Sequence, residues 1–122
     1  MVKWLGGVSR NYIYMPNMGH IASRFREELI KVFRERGDIV RAIPANITKG
    51  FIRKRSRPTI SVAGLGISAT VTAMEVGPDL YIGYVISTPK KELDDLEFQD
   101  LEAFSSYLVH TIEETLRKLE VL

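Results

Sequence analysis

The chain has no cysteine and only two histidines among its 122 residues. Without a thiol there can be no disulfide framework, no zinc finger, no iron–sulfur cluster and no cysteine nucleophile. Long hydrophobic runs are also lacking. No stretch approaches the roughly 18 apolar residues of a membrane span, and the first residues lack an apolar core of signal-peptide length. We therefore expect a cytoplasmic protein without a transmembrane segment.

Asparagine and glutamine are scarce as well, with three and one occurrences. This bias is typical of proteins from hot environments. The remaining composition is ordinary for a globular chain, with 45% hydrophobic and 26% charged residues. A chain of this size can bury a real core, and it corresponds to one domain. The composition predicts a single soluble domain and excludes a disordered chain.

Charge is unevenly distributed along a chain whose net charge is only +2. Residues 24–57 have a net charge of +7, whereas residues 89–122 have a net charge of −5. Such a distribution can steer an anionic partner toward the basic part of the chain. Alternatively, the acidic tail can neutralise the basic middle of the chain, either within one subunit or between subunits.

The N-terminal third predicts an arm followed by a helix. Residues 1–16 mix aromatic residues and glycines without a sustained period, so we interpret them as an arm with a short strand at Asn11–Met15. Residues 17–122 are interpreted as a single α+β domain. Apolar positions three and four residues apart then predict an amphipathic helix over residues 18–36. Asn17 is its expected N-cap and Gly37 its expected C′ residue.

The middle of the chain predicts strands, and its end predicts a second helix. The expected strands are Asp38–Ile43 closed by Pro44, residues 47–57 interrupted by Gly50 with Pro58 as an edge or boundary residue, Thr59–Ala63, Ile67–Val76 and Leu80–Thr88, with turns at residues 64–66 and 77–79. The last helix is expected over residues 95–119, with Asp94 and Glu97 forming a capping box. The expected fold is α+β, with an antiparallel meander sheet of four to five strands and both helices on one sheet face.

The helical periodicity also predicts the core and an uncovered sheet face. The core positions of the two helices are Phe25, Leu29, Phe33, Leu101, Phe104, Leu108 and Ile112. Two helices cover one side of a small sheet, so the charge-free second side is expected to be an interface. Its candidate residues are Thr70, Thr72, Met74, Val76, Tyr81 and Val85. Either the N-terminal arm, with Trp4, Tyr12 and Tyr14, or a partner subunit is expected to cover it.

A basic segment is the strongest local feature of the sequence. Five cations lie within nine residues and are interleaved with Phe51 and Ile52: Lys49, Arg53, Lys54, Arg55 and Arg57. Closely spaced cations beside stacking or apolar side chains are what a phosphate backbone or an anionic membrane surface requires. The alternatives are an edge strand protected by charge, or neutralisation of an acidic cluster formed by Asp94, Asp95, Glu97, Asp100 and Glu102.

Catalytic, cofactor-binding and metal-binding motifs are not found in the sequence. His110 and Glu114 share a helix face, but a solvated ion pair is the simpler interpretation. The turn at residues 64–66 lacks the features of a phosphate loop, and no serine has the context of a nucleophile. We therefore hypothesise a non-enzymatic interaction domain that self-associates or binds a protein partner. The alternatives are a module that binds nucleic acid or an anionic surface, and an enzyme with a pocket between helices and sheet.

Overall fold

A computed structural model of the protein describes residues 4–5, 8–37, 39–49, 55–88 and 92–122, with side chains described for 11–37, 39–46, 57–88 and 92–122. The elements are β1 (Trp4–Leu5), β2 (Val8–Met15), a short 3-10 helix (Gly19–Ile21), α1 (Ala22–Glu35), β3 (Arg41–Lys49), β4 (Arg55–Gly64), β5 (Ile67–Val76), β6 (Asp79–Ser87), β7 (Glu92–Leu93) and α2 (Asp95–Lys118). No helix within these ranges is both long enough and apolar enough to cross a membrane.

The main sheet has five antiparallel strands in the order β2-β6-β5-β4-β3. Strands β3 to β6 follow one another as a meander, and β2 returns to the outer side of β6, so the order is not that of a simple meander. A separate two-stranded sheet pairs β1 with β7. The expected α+β fold is confirmed. The sequence predicted a strand only at Asn11–Met15, whereas β2 extends from Val8 to Met15 and pairs with β6 along its whole length.

Both helices lie on one face of this sheet and enclose the core. Every core position predicted from the helical periodicity is buried, from Phe25 on α1 to Ile112 on α2. The alternating residues Ile60, Val71 and Ile82 meet them from the sheet. Successive side chains of a strand point to opposite faces of the sheet. The residues of β5 and β6 that alternate with the core residues therefore form the opposite, open face.

The start of the first helix differs from the prediction. Asn17 is not an N-cap, because its φ of 61° places it in a turn before the short 3-10 helix, whose N-cap is Met18. The backbone N–H of Asn17 donates instead to Asp79 Oδ1 at 2.8 Å. Gly19 follows this turn, and a Cβ there would lie 2.7 Å from the carbonyl oxygen of Asp79. The entry to the helix is therefore set by the β5–β6 turn rather than by a local cap.

The other predicted helix ends are confirmed. Gly37 follows the C-cap residue of α1 with a φ of 102°, a conformation that favours glycine. At the start of α2, the Asp94 side chain accepts a hydrogen bond from the Glu97 backbone N–H, and the Glu97 side chain accepts one from the Asp94 N–H. This reciprocal capping box satisfies two N–H groups that the helix leaves without partners.

The prediction that Pro44 closes a strand is wrong, since β3 continues through it to Lys49. Gly64 and Ile67 flank the two-residue turn that joins β4 to β5, and they face each other as a pair. In an antiparallel sheet the backbone N–H and C=O groups of successive residues point alternately to the two neighbouring strands, so this pair sets the direction for every other residue of β4 and β3. By that alternation the missing N–H of Pro44 faces the outer edge of β3. Pro58 faces the β5 side of β4, where pairing begins only at Ile60. Both prolines thus interrupt no ladder hydrogen bond.

Candidate functional site

The open face of the sheet is centred on β2, β6 and β5. Strand register aligns its residues in cross-strand rows, two of which are Tyr14–Tyr81–Met74 and Tyr12–Gly83–Thr72. A third row runs from Arg10 on β2 through Val85 and Thr70 to Ser61. The six predicted interface residues therefore lie on one face. Val76 and Val85 are exposed, and the other four are half-buried.

An aromatic pair forms the middle of this face. The Tyr81 side chain lies across Gly83, where a Cβ would be 2.2 Å from the Tyr81 hydroxyl oxygen. Tyr12 stacks on Tyr81, with ring centroids 6.0 Å apart and the ring planes inclined by 21°. Tyr12 is nevertheless 64% exposed, because nothing in the described chain covers its outer side. The glycine thus allows one ring to lie flat on the sheet and to support the other.

A shallow cleft of about 620 Å³ lies beside the aromatic pair. Its walls include Tyr12, Thr70, Thr72 and Val85, and all the residues that line it are uncharged. The sequence left open whether the arm with Tyr12 and Tyr14 or a partner subunit covers the face, and the structure places both tyrosines within the face, on β2. The alternation of aromatic and other residues through Asn11–Met15 was the signal that could have placed them.

The carboxylate of Asp79 accepts two hydrogen bonds at one end of the open face. Asp79 Oδ2 accepts a hydrogen bond of 2.6 Å from the Tyr14 hydroxyl, and its other oxygen accepts the Asn17 N–H. The hydrogen bond from Tyr14, followed by that from Asn17, lowers the pKa of Asp79 below its usual value. The same bond to Asp79 raises the pKa of Tyr14. Asp79 therefore holds the end of β2 against the β5–β6 turn as an anion.

The basic segment is described only in part. Lys49 pairs with Arg55 near the end of the β3–β4 hairpin, and the exposed Arg57 pairs with Ile47. Arg53 and Lys54 lie outside the described residues. Since β4 pairs with β5 only from Ile60 onward, this part of the hairpin extends beyond the five-stranded ladder.

The opposite end of β4 borders α2. Two clefts, of about 250 Å³ and 540 Å³, lie on either side of the β4–β5 turn and share Leu65 and Asp100. We call the larger one the end cleft; its lining is mostly apolar and includes Ile39, Leu65, Ala103, Phe104 and Tyr107. Ile39 and Leu65 are 74% and 72% exposed. Strand β4 spans ten residues, so the end cleft lies roughly 30 Å from Lys49 and Arg55.

The predicted pairing of His110 with Glu114 is wrong. Glu114 binds Arg36, whose guanidinium also contacts Thr111 and lies 5.2 Å from the Tyr107 ring centroid. His110 instead faces Glu113 at 3.8 Å and is largely exposed. Within the described ranges, no group of three or more histidine and acidic side chains could hold a metal ion. The contacts of Arg36 join the end of α1 to α2.

A gap of about 40 Å³ lies between α2 and the sheet, bordered by Ile13, Ile82, Tyr84 and Ile112. Ligand pockets usually measure about 300–1,000 Å³. A comparison of the chain with protein-family models gives no match, and comparisons with curated proteins and with solved structures give none either.

Proposed function

We propose that the protein is a non-enzymatic interaction domain that self-associates through the open face of its sheet. The observation that carries the proposal is the exposed aromatic surface of the stacked Tyr12 and Tyr81, beside a cleft lined by uncharged residues. Exposed tyrosines supply large contact areas at little entropic cost and are enriched in the centres of interfaces. Because both helices of the described ranges lie on the other sheet face, such a surface favours a partner.

The size of the face supports a second copy as that partner. Five strands about 4.8 Å apart and four rows about 6.8 Å apart give a footprint of roughly 500 Å². Specific interfaces of standard size bury about 800 Å² per partner, and weak ones bury less. Because the cleft is uncharged, two copies related by a two-fold axis can meet there without like-charge repulsion. The face therefore favours a weak, reversible dimer.

The experiment compares two lysine substitutions at exposed apolar residues. Val85→Lys places a charge in the middle of the open face, whereas Leu96→Lys places one on α2, at a side chain that is 72% exposed. Sedimentation velocity at about 0.5 M salt suppresses contacts that depend on exposed charges. We expect the unmodified chain and Leu96→Lys to dimerise and Val85→Lys to remain monomeric. A monomer at high concentration of the unmodified chain would sink the proposal, as would a dimer of Val85→Lys.

Polyanion binding by the basic segment is the second candidate function. The observation that favours it is a distance. The length of β4 places the paired residues Lys49 and Arg55 roughly 30 Å from the end cleft, which Asp100 borders. At physiological salt, exposed charges interact over about 8 Å, so this end of α2 is too distant to neutralise the segment within one chain. A basic hairpin end without that internal counter-charge is suited to phosphate groups.

Salt dependence tests this second candidate. Each phosphate neutralised contributes a slope of about −0.7 to −0.9 to log K against log salt. Replacing Arg53, Arg55 and Arg57 with Gln should flatten the slope for an oligonucleotide by up to about three times that value. The matched control is Arg24→Gln, an exposed cation of α1. No mobility shift at micromolar protein and about 50 mM salt would eliminate nucleic acid as the partner.

A further inference from the structure

The two ends of β4 carry complementary surfaces. Residues 47–57, at the hairpin end, contain five cations and no acidic residue. Residues 92–102, beside the β4–β5 turn at the other end, contain six acidic residues and no cation. The ten-residue strand separates these surfaces by roughly 30 Å. The domain therefore carries opposite net charges at its two ends along the strand direction.

The end cleft has the chemistry to accept a segment that is both apolar and cationic. Its apolar walls include the exposed side chains of Ile39 and Leu65. Asp100 lies at its margin, is exposed and has no hydrogen-bond or ion-pair partner among the described residues. Arg36, the cation in the lining, is already bound to Glu114 and Thr111. The uncommitted charge of the cleft is thus negative.

The basic segment has the complementary pattern. Phe51 and Ile52 lie between Lys49 and Arg53 in the sequence, so apolar and cationic side chains alternate over a short stretch. Within one chain, the ten residues of β4 hold Arg55 roughly 30 Å from the cleft. We infer that the basic segment 49–57 of one copy docks in the end cleft of a second copy. This inference is independent of the open-face contact, because it uses the ends of the sheet.

Docking of this kind is heterologous, since each copy contributes a different surface to the contact. Heterologous contacts form rings if the rotation between copies closes and filaments if it does not. Each copy in the interior of such an assembly uses both of its ends. Charge complementarity mainly sets the orientation and the rate of association, so the contact should weaken steeply with salt.

The test uses two charge-reversed variants in the Val85→Lys background, which removes the open-face contact. The first variant carries Arg55→Glu and Arg57→Glu, and the second carries Asp100→Lys and Glu102→Lys. The first variant lowers the net charge of residues 47–57 from +5 to +1, and the second changes that of residues 92–102 from −6 to −2, so each weakens the attraction between the two ends. In an equimolar mixture, the unaltered basic segment of the second variant meets the unaltered end cleft of the first. At about 50 mM salt we expect each variant to associate at least about tenfold more weakly than the parent, and the mixture to regain the parent's affinity.

The mixture distinguishes docking from loss of folding and from a different partner. Circular dichroism must show both variants folded, and Lys118→Glu with Glu35→Lys, which reverses an exposed ion pair between the helices, is the matched control. The control should associate like the parent. A folded pair of variants that does not associate when mixed overturns the inference, as does association of the parent that is unchanged at about 0.5 M salt. The same failure with salt-steep oligonucleotide binding would assign the segment to nucleic acid instead.

Discussion

Truncation of two phenylalanines in the same core should lower the free energy of unfolding by different amounts. Phe25, on α1, is completely buried, and Phe104, on α2, is 3% exposed and borders the end cleft of about 540 Å³. A phenylalanine buries about 150 Å² or more, which at about 25 cal/mol per Å² is worth almost 4 kcal/mol. Truncation inside a closed core adds a cavity cost of about 24 cal/mol per Å³ of residual volume. At the margin of an open cleft, solvent enters the space and this second cost is small.

We therefore expect Phe25→Ala to lower the free energy of unfolding by about 5 kcal/mol and Phe104→Ala by about 3 kcal/mol. Urea unfolding followed by far-UV circular dichroism at one fixed protein concentration measures both values. Leu96→Ala, at an exposed position of α2 outside the open face, should change the value by less than about 0.5 kcal/mol. An unchanged midpoint for Phe104→Ala would refute burial of the α2 stripe. A larger loss for Phe104→Ala than for Phe25→Ala would refute the argument about the cavity.

Three further substitutions test local contacts. Because the pKa of Asp79 is lowered in the folded chain, its stabilising effect is present above its unfolded pKa and is lost as the pH falls through the folded value. The urea midpoints of the parent and Asp79→Asn should therefore differ at pH 7 and converge once the pH lies below the folded pKa. Gly83→Ala should displace the Tyr81 ring, since the new Cβ would lie 2.2 Å from its hydroxyl, and thereby weaken dimerisation without lowering the melting temperature by more than a few degrees. Asp94→Ala should cost about 1 kcal/mol in urea unfolding through loss of the α2 cap, whereas Asp95→Ala, without that capping bond, should cost less. An unshifted near-UV aromatic spectrum for Gly83→Ala, or equal costs for the two aspartates, would contradict the respective geometry.

Local periodicity accounts for the parts of the fold that the sequence predicted. The helices, their buried stripes, the strand faces of β5 and β6 and the capping box at Asp94 each depend on residues within a few positions of one another. The errors have distant causes. Asn17 is not a cap because Asp79, 62 residues away, accepts its N–H. Pro44 lies inside a strand because β3 is an edge, and only the pairing of the whole sheet decides which strand is an edge.

The candidate surface was predictable to the same extent. Alternation along β5 and β6 placed Thr70, Met74 and Val85 on the uncovered face. It could not reveal that β2 joins β6 and adds Tyr12 to that face, since this pairing joins residues about 70 positions apart. The end cleft was missed entirely, because it combines the α1–β3 connection, the β4–β5 turn and α2. Each of these segments looks like an ordinary exposed turn or helix in the sequence.

The two proposed contacts have different consequences for assembly because they have different symmetry. A face-to-face contact uses the same surface on both copies and closes at a dimer. A contact between the two ends of β4 uses different surfaces and leaves one of each unoccupied at every open terminus. The face contact is mainly apolar, so high salt should preserve it, whereas the end contact depends on exposed charges and should be lost. Raising the salt concentration should therefore convert larger assemblies into dimers rather than into monomers, and this ordering follows only if the apolar surface is on the sheet and the charges are at its ends.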